Sequence, residues 1–109
     1  MDHLSALEQQ VMLAVLGLHP NAYGVSIADH IERRASYEPS VGSIYAALER
    51  LEEKGFVKQR QGEPTAARGG KRKLYFTITA PGEVALKQSL RAIKSLQRGV
   101  RWGGREAVA

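Results

Sequence analysis

Apolar residues recur at helical spacing from the start of the chain: Leu4, Leu7, Val11, Ala14 and Leu18 form one stripe, widened by Met12, Val15 and Leu16. The pattern predicts a first helix that stops where Gly17 and Pro20 stand. A second helix is expected over Ala22–Ala35, capped by Asn21, with Val25, Ile27, Ala28 and Ile31 turned inward. Pro39 disfavours helical geometry in the residue before it, so Tyr37-Glu-Pro39 reads as a connection. Ser40 is then the expected N-cap of a third helix, whose stripe is Val41, Ile44, Tyr45, Leu48 and Leu51, and Gly55 is placed to end it.

Beyond Gly55 the period changes from helical to alternating. Phe56–Arg60 reads as one strand and Lys73–Ile78 as another, with Leu74, Phe76 and Ile78 buried and Lys73, Tyr75 and Thr77 wet. The intervening residues 61–72 are rich in turn formers and read as a loop. Thr79 caps a fourth helix, with Pro81 and Glu83 in its first turn, and Gly103-Gly104 is the expected stop. The resulting fold is mainly α with a small β-hairpin, in the order α-α-α-β-β-α. It divides into a compact unit over residues 1–79, a terminal helix over 80–102 and a frayed tail over 103–109.

Composition narrows the function classes. A chain of 109 residues with 43% hydrophobic and 25% charged residues suits one globular domain. No apolar run approaches a membrane span, and the start Met-Asp-His-Leu lacks the pattern of a signal peptide, so the expectation is a cytoplasmic protein. The lack of cysteine removes disulfides, thiolate zinc sites and cysteine nucleophiles. The net charge of +5 is unevenly spread: residues 1–55 carry four Lys/Arg against eight Asp/Glu, and residues 56–109 carry twelve against three. Basic charge gathered in one half points to a polyanionic partner; a merely solvated basic surface is the plainer reading.

Position within the elements favours the polyanion. The first turn of the third helix carries Ser40, Gly42 and Ser43, small polar residues that leave its N-terminus open, and such a helix suits the DNA major groove. Serine hydroxyls and free first-turn amides can bond phosphate there, and Tyr45 has a hydroxyl able to reach one. Arg68, Lys71, Arg72 and Lys73 crowd a loop containing Gly69 and Gly70, fit to follow the neighbouring minor groove. Each piece has a plainer reading: a cap, a core ring, a soluble turn. A groove-reading helix followed by a basic hairpin is nevertheless the order of a winged helix-turn-helix that binds double-stranded DNA.

Three stretches carry a more specific likeness. Tyr23-Gly24 at the opening of a helix, Gly42-Ser-Ile-Tyr-Ala-Ala-Leu-Glu-Arg-Leu-Glu-Glu-Lys-Gly-Phe-Val57, and Arg72-Lys-Leu-Tyr-Phe-Thr-Ile-Thr-Ala-Pro-Gly82 resemble the PadR family of bacterial winged helix-turn-helix transcriptional regulators. The resemblance spans roughly residues 4–98. It implies a homodimeric, nucleoid-associated repressor, with the third helix in the major groove and the hairpin as wing. It also implies that Tyr23, Ser40, Ser43, Tyr45 and the wing cations lie on the DNA side. Effector-responsive members of the family often carry a longer C-terminal region than this chain does. In some of them an aromatic on the terminal helix lines a flat cavity, which makes Trp102 a candidate for planar apolar effectors. The plainer reading of Trp102 is an anchor for the helix end.

The fourth helix bears on assembly. Leu86, Leu90, Ile93 and Val100 lie near heptad spacing and, with Leu4, Leu7 and Val11 of the first helix, form the expected dimer seam. Packing within one chain is the competing reading. Lys87, Arg91, Lys94, Arg98 and Arg101 form a second stripe without an acidic neighbour, read as a solvated face. Enzyme readings fail: Ser26 and His30 beside Asp29 have no oxyanion hole on a helix surface, and His3, His19 and His30 lack metal-ligand spacing. Gly69-Gly70-Lys71 lacks the first glycine and final Ser/Thr of a phosphate loop. No cofactor or metal is expected. The remaining alternative to DNA binding is a winged helix used for protein contact.

Overall fold

The computed structural model describes residues 3–62 and 73–104. Helices α1 (Ala6–Leu18), α2 (Gly24–Ala35) and α3 (Val41–Glu53) are followed by strands β1 (Val57–Gln61) and β2 (Leu74–Ile78), then helix α4 (Ala80–Gln97). A short 3-10 turn covers Trp102–Gly104. The mainly helical order with one antiparallel hairpin is the one that the periodicity predicts. Val57 pairs with Ile78 and Gln61 with Leu74 at the two ends of the ladder.

The core sits where the first three helices meet. Val11, Met12 and Val15 of α1 pack with Ile27 and Ile31 of α2 and with Ile44, Leu48 and Leu51 of α3. Phe56, Val57, Phe76 and Leu86 close it from the hairpin and from the root of α4. Each such side chain contributes about 1.5–3 kcal/mol relative to leaving it in water, so this cluster sets the mutual angles of the helices. The corner between α3 and α4 is tied by Thr79. Its hydroxyl accepts from the Gly82 amide at 3.1 Å and donates to the Gly55 carbonyl at 2.6 Å. Gly82 lies against the Phe56 carbonyl, in space that any Cβ would occupy.

Several details depart from the sequence pattern. Helix α2 starts at Gly24 rather than Ala22, because the Ala22 carbonyl accepts from the Phe76 amide at 2.8 Å and so joins the segment before α2 to β2. Ile27, Ala28 and Ile31 face the core, and Val25, two residues before Ile27 and hence on the opposite side of the helix, is 56% exposed. In α3 the buried stripe runs through Ile44, Ala47, Leu48 and Leu51, with Val41 and Tyr45 exposed at its edge. Leu16 and Leu74 are also exposed, since the elements around them cover only one side of α1 and only the middle of β2, at Phe76. Helix α4 ends at Gln97, where Arg98 turns extended and Gly99 takes a positive φ of 79°; the predicted run to residue 102 is therefore too long.

One buried charge fixes α3 against α1. Glu8, 3% exposed, shares a capping box with Ser5, accepting from the Ser5 amide at 2.7 Å while the Ser5 hydroxyl accepts from the Glu8 amide at 3.1 Å. Its other carboxylate oxygen accepts from Arg50 Nε at 3.3 Å and Lys54 Nζ at 3.5 Å, both at the C-terminal end of α3. Burial pushes the pKa of Glu8 up. The Ser5 amide, the Arg50 guanidinium, the Lys54 ammonium and the Ser5 hydroxyl together outweigh that and hold it below its ordinary value.

Candidate nucleic-acid interface

The N-terminal turn of α3 is exposed and stitched to itself. Ser40 is the N-cap: its hydroxyl accepts from the Ser43 amide at 3.1 Å and donates to the Ser43 hydroxyl at 2.9 Å. Ser40 is thereby committed to the helix, and the hydroxyl proton of Ser43 remains for an outside acceptor. Helix geometry leaves the amides of Val41 and Gly42 without an intrahelical acceptor. A Cβ at Gly42 would meet nothing closer than the Ser40 hydroxyl at 4.0 Å, so this position is open. The turn thus offers two backbone donors and one hydroxyl on a surface with little side-chain bulk, at the positive end of a helix dipole.

Tyr45, one turn further, lies against the start of α2. A Cβ at Gly24 would stand 2.6 Å from the ring and hydroxyl of Tyr45, so only glycine lets the ring settle there. The neighbouring Tyr23 amide donates to the Ser26 hydroxyl at 2.9 Å, which holds the first turn of α2 in place. Both tyrosines therefore sit where α2 begins, Tyr23 half-buried and Tyr45 exposed.

The loop end of the hairpin joins this cluster through stacked cations and rings. Tyr23 and Tyr75 meet edge to face, with ring centroids 5.7 Å apart. Lys73 Nζ lies 4.3 Å from the Tyr23 ring centroid, and the Arg60 guanidinium lies 4.7 Å from that of Tyr75, its cross-strand partner. Arg60 also donates to the Pro20 carbonyl at 3.1 Å. Gly62 accepts no side chain, because the Tyr75 ring occupies the space where one would begin. Such cation–ring contacts are each worth about 0.5–1 kcal/mol at exposed sites, enough together to hold the loop end of the hairpin against the start of α2.

Of the sequence candidates, the structure brings Tyr23, Ser40, Gly42, Ser43, Tyr45 and Lys73 into one region around α3, the start of α2 and the loop end of the hairpin. Arg68, Lys71 and Arg72 lie outside the described residues. Arg60, Tyr75, Gly24 and Gly62 join the region, although the sequence pattern assigns none of them to the DNA side. The alternation of β2 already put Lys73 and Tyr75 on one face, but the pairing of Arg60 with Tyr75 depends on a register that the loop length does not reveal. The expected seam narrows: Leu4, Val11 and Leu86 are buried in the core of their own chain, and Leu7 is packed at its edge. Leu90, Ile93 and Leu96 are 37%, 49% and 73% exposed along α4, and Val100 is exposed beyond the helix end. Lys87 is not without an acidic neighbour, since Glu83 bonds it at 3.0 Å one turn earlier. Trp102 is exposed in the 3-10 turn. No helix among the described residues is long and apolar enough to cross a membrane.

Comparison with known proteins gives this geometry a context. The model of the transcriptional regulator PadR-like family matches residues 12–88. Among solved structures, a transcriptional regulator from Clostridium thermocellum superposes with a TM-score of 0.69 at 22% identity, covering 91% of this chain and 100% of its own. A PadR family transcription regulator from hypervirulent Clostridium difficile gives 0.67 at 26% identity, covering 84% and 94%. A PadR-like transcription factor from Bacteroides fragilis gives 0.67 at 26% identity, covering 83% and 82%. No curated protein matches the sequence significantly.

Proposed function

The chain belongs to the PadR-like family of transcriptional regulators, and we propose that it acts as a homodimeric, sequence-specific DNA-binding repressor on an inverted-repeat operator. The observation that carries this reading is the open N-terminal turn of α3, Ser40 to Ser43, together with the cations at the loop end of the hairpin. In this reading α3 enters the major groove, and Ser43, Tyr45 and the amides of Val41 and Gly42 bond phosphates or base edges. The hairpin, with Lys73 where its loop meets β2 and Arg68, Lys71 and Arg72 in that loop, follows the adjacent minor groove.

Dimerisation rests on α4. Its first turns are rooted in the core through Gly82 and Leu86, and from Arg91 to Gln97 every residue is exposed. An exposed Leu90, Ile93 and Leu96 on a projecting helix supports a second copy as the partner, with Gln9 of α1 beside Leu90 and Ile93 on the same surface. Two α3 helices related by the resulting two-fold would sit about 34 Å apart, one DNA turn.

The test is a gel-shift titration on the chain's own promoter region and on random duplex, repeated across salt concentrations, with sedimentation of the free protein alongside. The expected outcome is a dimer that prefers the promoter and loses affinity steeply with salt. Equal binding to both duplexes favours a protein-contact module instead, and a monomer removes the inverted repeat.

A further inference from the structure

We infer that Glu49 is a sequence-reading residue of α3, accepting a hydrogen bond from the exocyclic amine of a cytosine in the major groove. The inference rests on the DNA-binding reading above and adds to it what the helix selects. Burial divides α3 cleanly: Ile44, Ala47, Leu48 and Leu51 form the inner face, and Gly42, Ala46 and Glu49 at i, i+4 and i+7 run along the opposite, exposed face. That outer stripe contains no Arg, Lys, Asn or Gln. Arg50, the one cation within α3, is bonded to Glu8 at the far end of the helix. The usual bidentate contacts to guanine or adenine therefore have no donor here.

What the stripe does offer is a small-residue nose and, behind it, two carboxylates, Glu49 in mid-helix and Glu53 at the last residue of α3. Gly42 and Ala46 let the backbone come close, and the Ala46 methyl can rest on a thymine methyl. Glu49 follows about 10 Å further along the helix from Gly42, roughly three base-pair steps. Among the described residues Glu49 has no ion-pair or hydrogen-bond partner, whereas Glu52 accepts from Gln59 at 3.4 Å. Of the two carboxylates Glu49 is the nearer to the small-residue end; such an acid among phosphates is repelled unless it meets a donor, so it lowers affinity for most sequences and spares those presenting one. Cytosine N4 meets that need best. Adenine N6 stands between two acceptors, its own N7 and the paired thymine O4, whereas N4 has an acceptor on one side only.

The test is selection from a random duplex library by the wild-type protein, by Glu49→Gln and by Glu49→Ala, with melting midpoints recorded for all three. Wild type should enrich a site with cytosine at one position in each half, preferred by about tenfold over other bases. Glu49→Gln should move that position toward adenine, whose N6 and N7 suit an amide. Glu49→Ala should leave it undetermined and raise affinity for random duplex, and neither variant should lose stability. A site whose base preferences are the same in all three proteins overturns the role of Glu49. Failure of the wild type to enrich any site instead sinks the DNA-binding reading itself.

Discussion

At its C-terminal end α3 is held by charge: Arg50 and Lys54 reach the buried carboxylate of Glu8 on α1, and the Gly55 carbonyl takes the Thr79 hydroxyl. At its N-terminal end the same helix touches little beyond itself, with Ser40 and Ser43 bonded to each other and Gly42 facing open space. The anchored end uses long side chains and a desolvated acid, which fix position. The open end uses the smallest residues available, which permit approach. A helix that must enter a groove needs both, because an approach surface is useful only if its register is set from elsewhere.

Three substitutions test this contrast, from the largest expected effect to the smallest. Glu8→Ala removes the capping box of α1 and the shared acceptor of Arg50 and Lys54 at once. It should cost about 2–3 kcal/mol of stability, read by denaturant unfolding. The pH dependence has a defined sign. Because the folded protein holds Glu8 below its ordinary 4.5, the contribution is complete above that value and drains away as pH falls beneath it. The wild-type midpoint should therefore drop more steeply in acid than that of Glu8→Gln, and parallel curves would remove Glu8 from the account.

Gly42→Ala probes the open end. A methyl there has room within the chain and improves helix propensity, so stability should hold or rise by up to about 0.5–1 kcal/mol. DNA affinity should nevertheless fall by roughly tenfold, about 1.4 kcal/mol, if the backbone makes close contact. Unchanged affinity would place the turn away from DNA. Lys54→Met gives the smallest effect, under about 1 kcal/mol, because Arg50 still satisfies Glu8 and the lysine is partly solvated. A loss as large as that of Glu8→Ala would show that Lys54, rather than the capping box, carries the anchor.

The order of elements, most of the inner faces and the caps at Ser40 and Thr79 could be read from the residues themselves, because period and cap chemistry are local properties of a chain. The open turn of α3 was equally legible, being contiguous. Glu8 was not: an acid in the first turn of a helix reads as a solvated dipole partner, and only the packing of α1 on α3 buries it beside two cations 42 and 46 residues away. Nor was the ring stack legible, since Tyr23 and Tyr75 meet only after β2 bonds the segment before α2 through Ala22. The terminal helix shows the same division. Its heptad-like spacing is written in the sequence, but that Leu86 belongs to its own core and Leu90, Ile93 and Leu96 do not was decided by where the body of the domain ends. Local periodicity says which side of a helix is apolar; the three-dimensional arrangement alone says what, and how much, covers it.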